Sequence, residues 1–141
     1  MTYPTRLKRI HDPVEDEDGT RILVDRVWPR GVSKADARLD WWAKEVAPST
    51  ELRKWFGHDP ERWEKFRHNY RDELAQVPET LSKLLDYCQQ SPTTLLFGAR
   101  DRVHNQAVVL REVLLQELAG DEHLNESSSP VCYGNDFSDQ I

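Results

Sequence analysis

Residues 21 to 34 read Arg-Ile-Leu-Val-Asp-Arg-Val-Trp-Pro-Arg-Gly-Val-Ser-Lys, and this stretch constrains the fold more than any other. Three consecutive β-formers, Ile22, Leu23 and Val24, suit a strand covered on both faces. Pro29 fixes φ and removes a backbone donor, so a strand over 22–27 has to end by Trp28. Gly31 then permits backbone that other residues resist. Asp25, Arg26, Arg30 and Lys34 are thereby delivered near the carboxyl end of a buried strand. Ligands of open α/β sheets bind at that edge, which makes these four residues candidates for holding an anion.

A second apolar run, Thr93 to Gly98, predicts a strand over 93–98. A tight turn, Gly98-Ala99-Arg100-Asp101, leads from it into a last helix. Between the two strands the spacing predicts helices. Ser49 serves as an N-cap with Leu52, Trp55 and Phe56 on one face, ending at Gly57. Asp59-Pro60 starts the next, with the stripe Trp63, Phe66, Tyr70 and Leu74. Pro78 opens a third, with Leu81, Leu84, Leu85 and Cys88 inward. The last helix carries Val103, Ala107, Leu110, Leu114 and Leu118, with Gly120 as its C-cap signal. Residues 32–47 fit a short helix or an irregular aromatic lid.

Residues 5–10 form a weaker strand candidate, and the acidic stretch 11–20 reads as a solvated loop closing on Gly19. That loop is short for a helical crossover and favours antiparallel pairing of 5–10 with 22–27. The expected fold is α/β, a small three-layer domain with a mostly parallel sheet flanked by helices. Strands 22–27 and 93–98 are expected to be adjacent and parallel, joined by a right-handed crossover. Residues 1–120 make one domain, and 121–141 an acidic, serine-rich tail that is mobile or loosely docked.

The 141-residue length suits one domain. The net charge of −6 misleads, because the seven acidic residues from Glu112 onward face no Lys or Arg. Residues 1–111 hold all 19 basic residues against 18 acidic ones. Arg21 to Arg71 carries twelve basic residues against eight acidic. A phosphate-bearing partner is compatible with this balance, but the strongly basic footprint of a dedicated nucleic-acid binder is absent. No run reaches the length of a membrane span. Two cysteines, Cys88 and Cys132, without a leader-like apolar opening, fit free thiols in a reducing cytoplasm.

Chemistry-bearing residues concentrate at the two strand ends. The first end brings Asp25, Arg26 and Arg30, and the second brings Arg100, Asp101, His104 and Asn105. Facing one another, they form a cleft in which Asp101 or His104 acts as general base and the arginines clamp an anion. The N–H groups of residues 101 to 104 add a helix-start anion seat. Structural roles compete with each assignment. Asp101 alone suits a helix N-cap, Asp25 with Arg26 or Arg30 suits an ion pair, and Trp28 suits the core. His58 is a base or, more simply, a helix cap. The five histidines lack zinc spacing, and phosphate-loop, dinucleotide and Gly-x-Ser-x-Gly fingerprints do not occur. No metal or cofactor is expected.

The block Arg21-Ile-Leu-Val-Asp-Arg-Val-Trp-Pro-Arg-Gly31 is distinctive. With His11-Asp12-Pro13, Asp18-Gly19, Lys34, Leu39-Asp40, Lys44, the run Ala47 to Arg53, Glu73-Leu74-Ala75, Thr94-Leu95-Leu96 and Asn105, it resembles the YeaO-like family of domains of unknown function, DUF488. The resemblance covers nearly all of residues 5–118. It implies a compact α/β fold and a site, not an activity. In the wider superfamily it implies a strand ending in Asp-Val-Arg, matched here by Asp25-Arg26, and a later Cys-His-Arg. This chain has no cysteine at the second place. It also carries Phe97-Gly98 where many members carry a tyrosine and a small residue.

Three readings follow. One is a small cytoplasmic enzyme or binding protein for a phosphorylated or nucleotide-like ligand. Another is a non-catalytic nucleic-acid-binding or regulatory domain. The third is a Trp-rich protein-interaction module.

Overall fold

The computed structural model describes residues 3–126, with side chains to residue 120. The sheet has four strands, β1 (Thr5–Arg9), β2 (Thr20–Leu23), β3 (Trp41–Trp42) and β4 (Thr93–Phe97), in the order β1-β4-β2-β3. Every pairing is parallel, with Ile22 beside Leu95 and Leu23 beside Leu96. The helices are α1 (Lys34–Ala37), α2 (Thr50–Phe56), α3 (Trp63–Leu74), α4 (Pro78–Gln90) and α5 (Gln106–Glu126).

β4 is central and all five of its residues are buried. Side chains alternate across a strand, so Ile22, Leu95 and Phe97 face one way and Leu23 and Leu96 the other. The first set packs with Phe66, Tyr70, Leu84, Cys88, Leu110 and Leu114 from α3, α4 and α5. The second set meets Ile10 and Ala37, with Trp28 and Trp42 at its margin. The third layer is therefore thin, built from the segment before β2 and the short α1.

The expected adjacency of β2 and β4 is present. The strand over 22–27 is shorter than expected. It spans Thr20–Leu23, and its pairing fades with one more bond, Val24 N–H to Leu96 O at 3.0 Å. Antiparallel pairing of the first two strands is overturned, because β4 inserts between β1 and β2 and both run parallel to it. The acidic loop is the crossover. It is not wholly solvated: Asp18 is buried, with Lys8 Nζ at 2.8 Å and Arg21 NH1 at 2.6 Å. Two strand-borne cations offset the repulsion that keeps Glu15, Asp16 and Glu17 outside. Gly19 is required where the loop closes. It has φ of +65°, and a Cβ there would lie 2.2 Å from Pro92 O.

Residues 32–47 are neither a lid nor one helix. They form α1 and then β3, which adds Trp41 and Trp42 to the sheet edge. The caps of α2 and the entry to α3 are as expected: Ser49 Oγ accepts from Leu52 N–H at 3.1 Å, and Asp59 accepts from Glu61 N–H at 3.0 Å. Gly57 rather than His58 caps α2. Val103 is exposed and precedes α5, so it leaves the expected stripe, and α5 runs through Gly120 to Glu126. The first residues of the tail expected over 121–141 continue α5 to Glu126, and the rest, from residue 127 with Cys132, lies outside the described residues. Among the described residues no helix is long and apolar enough to cross a membrane.

Candidate functional site

The parallel register brings the carboxyl ends of β2 and β4 side by side. Asp25 follows β2 and Gly98 follows β4, and the Asp25 carboxylate spans the gap by accepting the Gly98 N–H at 2.9 Å. A Cβ on Gly98 would stand 2.8 Å from that carboxylate oxygen and 3.2 Å from the Pro29 ring. Gly98 therefore makes room for Asp25 and Pro29. The other carboxylate oxygen accepts from Gln106 at the start of α5. Both donors are neutral. Burial raises the Asp25 pKa to about 6, against the lowering pull of the Gly98 and Gln106 hydrogen bonds and the charges of Arg53 and His11.

A cleft of about 440 Å³ opens above this carboxylate. Its wall includes Arg9, Arg26, Arg30, Arg53 and Arg100, with His11 and His58, while Asp25 is its one acidic residue among the described residues. The arginines divide into two kinds. Arg26 donates to Ala47 O at 3.0 Å and Pro48 O at 3.1 Å, and Arg9 to Ala99 O at 2.9 Å and Gly98 O at 3.3 Å. These two brace the loops, and neither Arg26 nor Arg30 makes the ion pair with Asp25 that the sequence suggested. The guanidiniums of Arg30, Arg53 and Arg100 are exposed and make no hydrogen bond or ion pair among the described residues. Trp42 Nε1 donates to Asp25 O and Trp28 Nε1 to Val32 O, both at 2.7 Å, which fixes the strand exit.

The remaining expected residues divide between the cleft and its surroundings. Asn105 lines the cleft and is buried, but both ends of its amide are used. Nδ2 donates to Asp101 O at 2.9 Å, and Oδ1 accepts from Val108 N–H at 3.2 Å. Asn105 is thus the N-cap of α5, the role expected of Asp101. Asp101 closes a turn earlier, accepting from Val103 and His104 N–H at 2.9 Å each. The anion seat expected on residues 101 to 104 is consequently taken by a side chain of the protein itself.

Those two backbone bonds, with the His104 ring at 3.0 Å, hold the Asp101 carboxyl below its ordinary range, which makes it a weak base. The His104 ring meets Trp63 edge-on at 5.1 Å and does not line the cleft. Lys34 also stands apart, its Nζ 6.0 Å from the Trp28 ring centre. Arg53 and Gln106 were not foreseen: Arg53 lies on α2, far in sequence from either strand end, and Gln106 follows Asn105 as the first residue of α5. Among the described residues no group of His, Cys, Asp and Glu is placed to hold a metal ion.

The family described as "Inactive DUF488-N3 subclade" matches residues 4–134. The uncharacterised protein YeaO of Escherichia coli strain K12 is 48% identical over 107 residues, covering 76% of this chain and 93% of that protein. The uncharacterised protein Rv3073c of Mycobacterium tuberculosis strain H37Rv is 38% identical over 109 residues, covering 77% of this chain and 92% of that protein. No solved structure matches the chain. With a family match over almost its whole length and a relative 48% identical over 107 aligned residues, this chain belongs to the YeaO-like DUF488 family.

Proposed function

We propose that the domain binds a small phosphorylated or nucleotide-like anion in the cleft without converting it. The observation that carries this is the set of three uncommitted guanidiniums, Arg30, Arg53 and Arg100, around a concave wall with a single carboxylate. A fixed excess of positive groups on a concave surface focuses field on an anion, and a guanidinium fork engages phosphate bidentately. A non-catalytic role is supported by the word "Inactive" in the family's description. It is also supported by the His104 ring meeting Trp63, by Asp101 being bonded to its own turn, and by Cys88 being buried on α4 away from the cleft.

The Trp-rich interaction reading is weaker. Trp28 packs on Trp42, Trp41 on Tyr87 and Trp63 on Phe66, so these half-buried rings are engaged at the margin of the protein's own core, and only Trp55 of the five is exposed. A cytoplasmic setting belongs to the same proposal and rests on Cys88 being an unbridged thiol. Recovery of the protein from an extracellular fraction would contradict that setting.

Titration calorimetry with inorganic phosphate and mononucleotides tests the binding. Arg30→Ala and Arg53→Ala should each weaken binding by roughly ten- to a hundredfold, the scale of one charge-assisted contact. Equal binding by the parent and both variants would remove the site. A salt slope as steep as that of a polyanion binder would instead favour nucleic acid.

A further inference from the structure

We propose that the cleft selects a two-ended ligand, whose anionic group sits among Arg30, Arg53 and Arg100 while a hydrogen-bond donor at its other end, an ammonium or N–H, is held by the Asp25 carboxylate. The inference rests on the anion-site reading and specifies the class of molecule that fits it.

Two features make the floor of the cleft unlike its rim. An ionised carboxylate offers about four acceptor positions, and Asp25 uses two, toward the Gly98 N–H and the Gln106 amide. Two cations of the cleft wall are tied down elsewhere, and Arg53 and His11 act on Asp25 only through their charge, without a hydrogen bond or ion pair to it. Arg26 is held by Ala47 O and Pro48 O, and Arg9 by Ala99 O and Gly98 O. Among the described residues no cation pairs with Asp25. A half-buried carboxylate left without a cation is costly to the fold. A ligand ammonium would provide the missing partner.

A simple anion would not. Above its pKa of about 6, Asp25 carries a negative charge that a bare phosphate must face. The acceptor at the floor and the guanidiniums at the mouth thus suit opposite ends of one molecule. A cleft of this volume lies in the range that accepts a whole small metabolite.

The test compares inorganic phosphate, ethyl phosphate and aminoalkyl phosphates of two to four carbons by calorimetry at about pH 8, where Asp25 is ionised on the pKa scale above. At least one aminoalkyl phosphate should bind the parent protein tenfold or more tighter than ethyl phosphate. That advantage should vanish in Asp25→Asn, while ethyl phosphate binds Asp25→Asn no worse than the parent. Equal affinity of the parent for ethyl phosphate and every aminoalkyl phosphate overturns the inference and leaves the anion site standing. That comparison needs no variant. Retention of the advantage by Asp25→Asn overturns it as well. If none of the probes binds, the anion site falls and this inference with it.

Discussion

Asp18 and Asp25 stand at the two ends of β2 and meet opposite surroundings. Asp18 is 3% exposed and is met by Lys8, Arg21 and the Glu15 N–H. Burial alone would push its pKa up, but the hydrogen bonds from Lys8, Glu15 and Arg21 outweigh that and hold it low. Asp25 receives two neutral donors, and burial raises it to about 6. One carboxylate is saturated with cations and ties a loop to two strands. The other is short of a cation and faces a cleft. A buried charge with a full set of partners is architecture. One that is left wanting at a strand's carboxyl end marks a place where a ligand completes the set.

The largest expected effect lies on the saturated side. Asp18→Asn leaves the buried Arg21 and the adjacent Lys8 without their counter-charge, which should cost on the order of 3 to 5 kcal/mol in urea unfolding. A loss under about 1 kcal/mol would mean that the network is not what seats the crossover loop.

The second effect has the opposite sign. An acid whose folded pKa is raised binds its proton more tightly when folded, so its favourable contribution is present below pH 3.8 and is lost as pH rises toward 6. Asp25→Asn removes this loss. Gln106 can reverse its amide to meet the new side chain. The variant should be more stable than the parent at pH 7.5, by on the order of 2 kcal/mol, and nearly level with it at pH 4. Asp18 tilts the other way: its contribution is present above the unfolded value and lost as pH falls. If Asp25→Asn were destabilising at pH 7.5, Asp25 would be a second architectural carboxylate and the contrast would collapse.

A third test sharpens the geometry. Gly98→Ala places a Cβ 2.8 Å from the Asp25 carboxylate, so the carboxylate must shift off its hydrogen bond or the strand ends must part, at a cost of about 1 to 3 kcal/mol. In an Asp25→Ala background the space is open and the cost should shrink. A double-mutant cycle showing additivity would place the strain elsewhere.

What the sequence carries here is uneven for physical reasons. An apolar run stopped by proline announces β2, and the polar residue ending that run announces Asp25, because both signals are local. The two-residue β3 has no period to read, and Trp41-Trp42 looks equally like a helix face. The direction of β1 depends on β4 inserting between strands far apart in sequence, which loop length cannot reveal. Asn105 lines the cleft as the N-cap of α5, a role the sequence suggested for Asp101, because Asp101 makes a local turn that imitates a helix start four residues early. Arg53 is invisible in sequence as a cleft residue: it lies on α2, and only the docking of that helix brings it near Asp25.

The smallest expected effect separates the two kinds of arginine around the cleft. Arg26 and Arg30 are near neighbours in sequence and both line the wall, yet only Arg26 is bonded to the protein, through Ala47 O and Pro48 O. Arg30 is exposed, and its backbone carbonyl, not its guanidinium, meets His11 at 3.0 Å. Removing an exposed side chain with no such partner changes stability by less than about 0.5 kcal/mol. Arg30→Ala should therefore unfold within that margin of the parent, whereas Arg26→Ala strands two carbonyls and should lose about 1.5 to 3 kcal/mol. The informative quantity is the pairing of the two measurements. An Arg30→Ala protein of unchanged stability that no longer binds phosphate assigns Arg30 to the ligand. One that loses as much stability as Arg26→Ala would make Arg30 another brace and leave the rim with Arg53 and Arg100 alone.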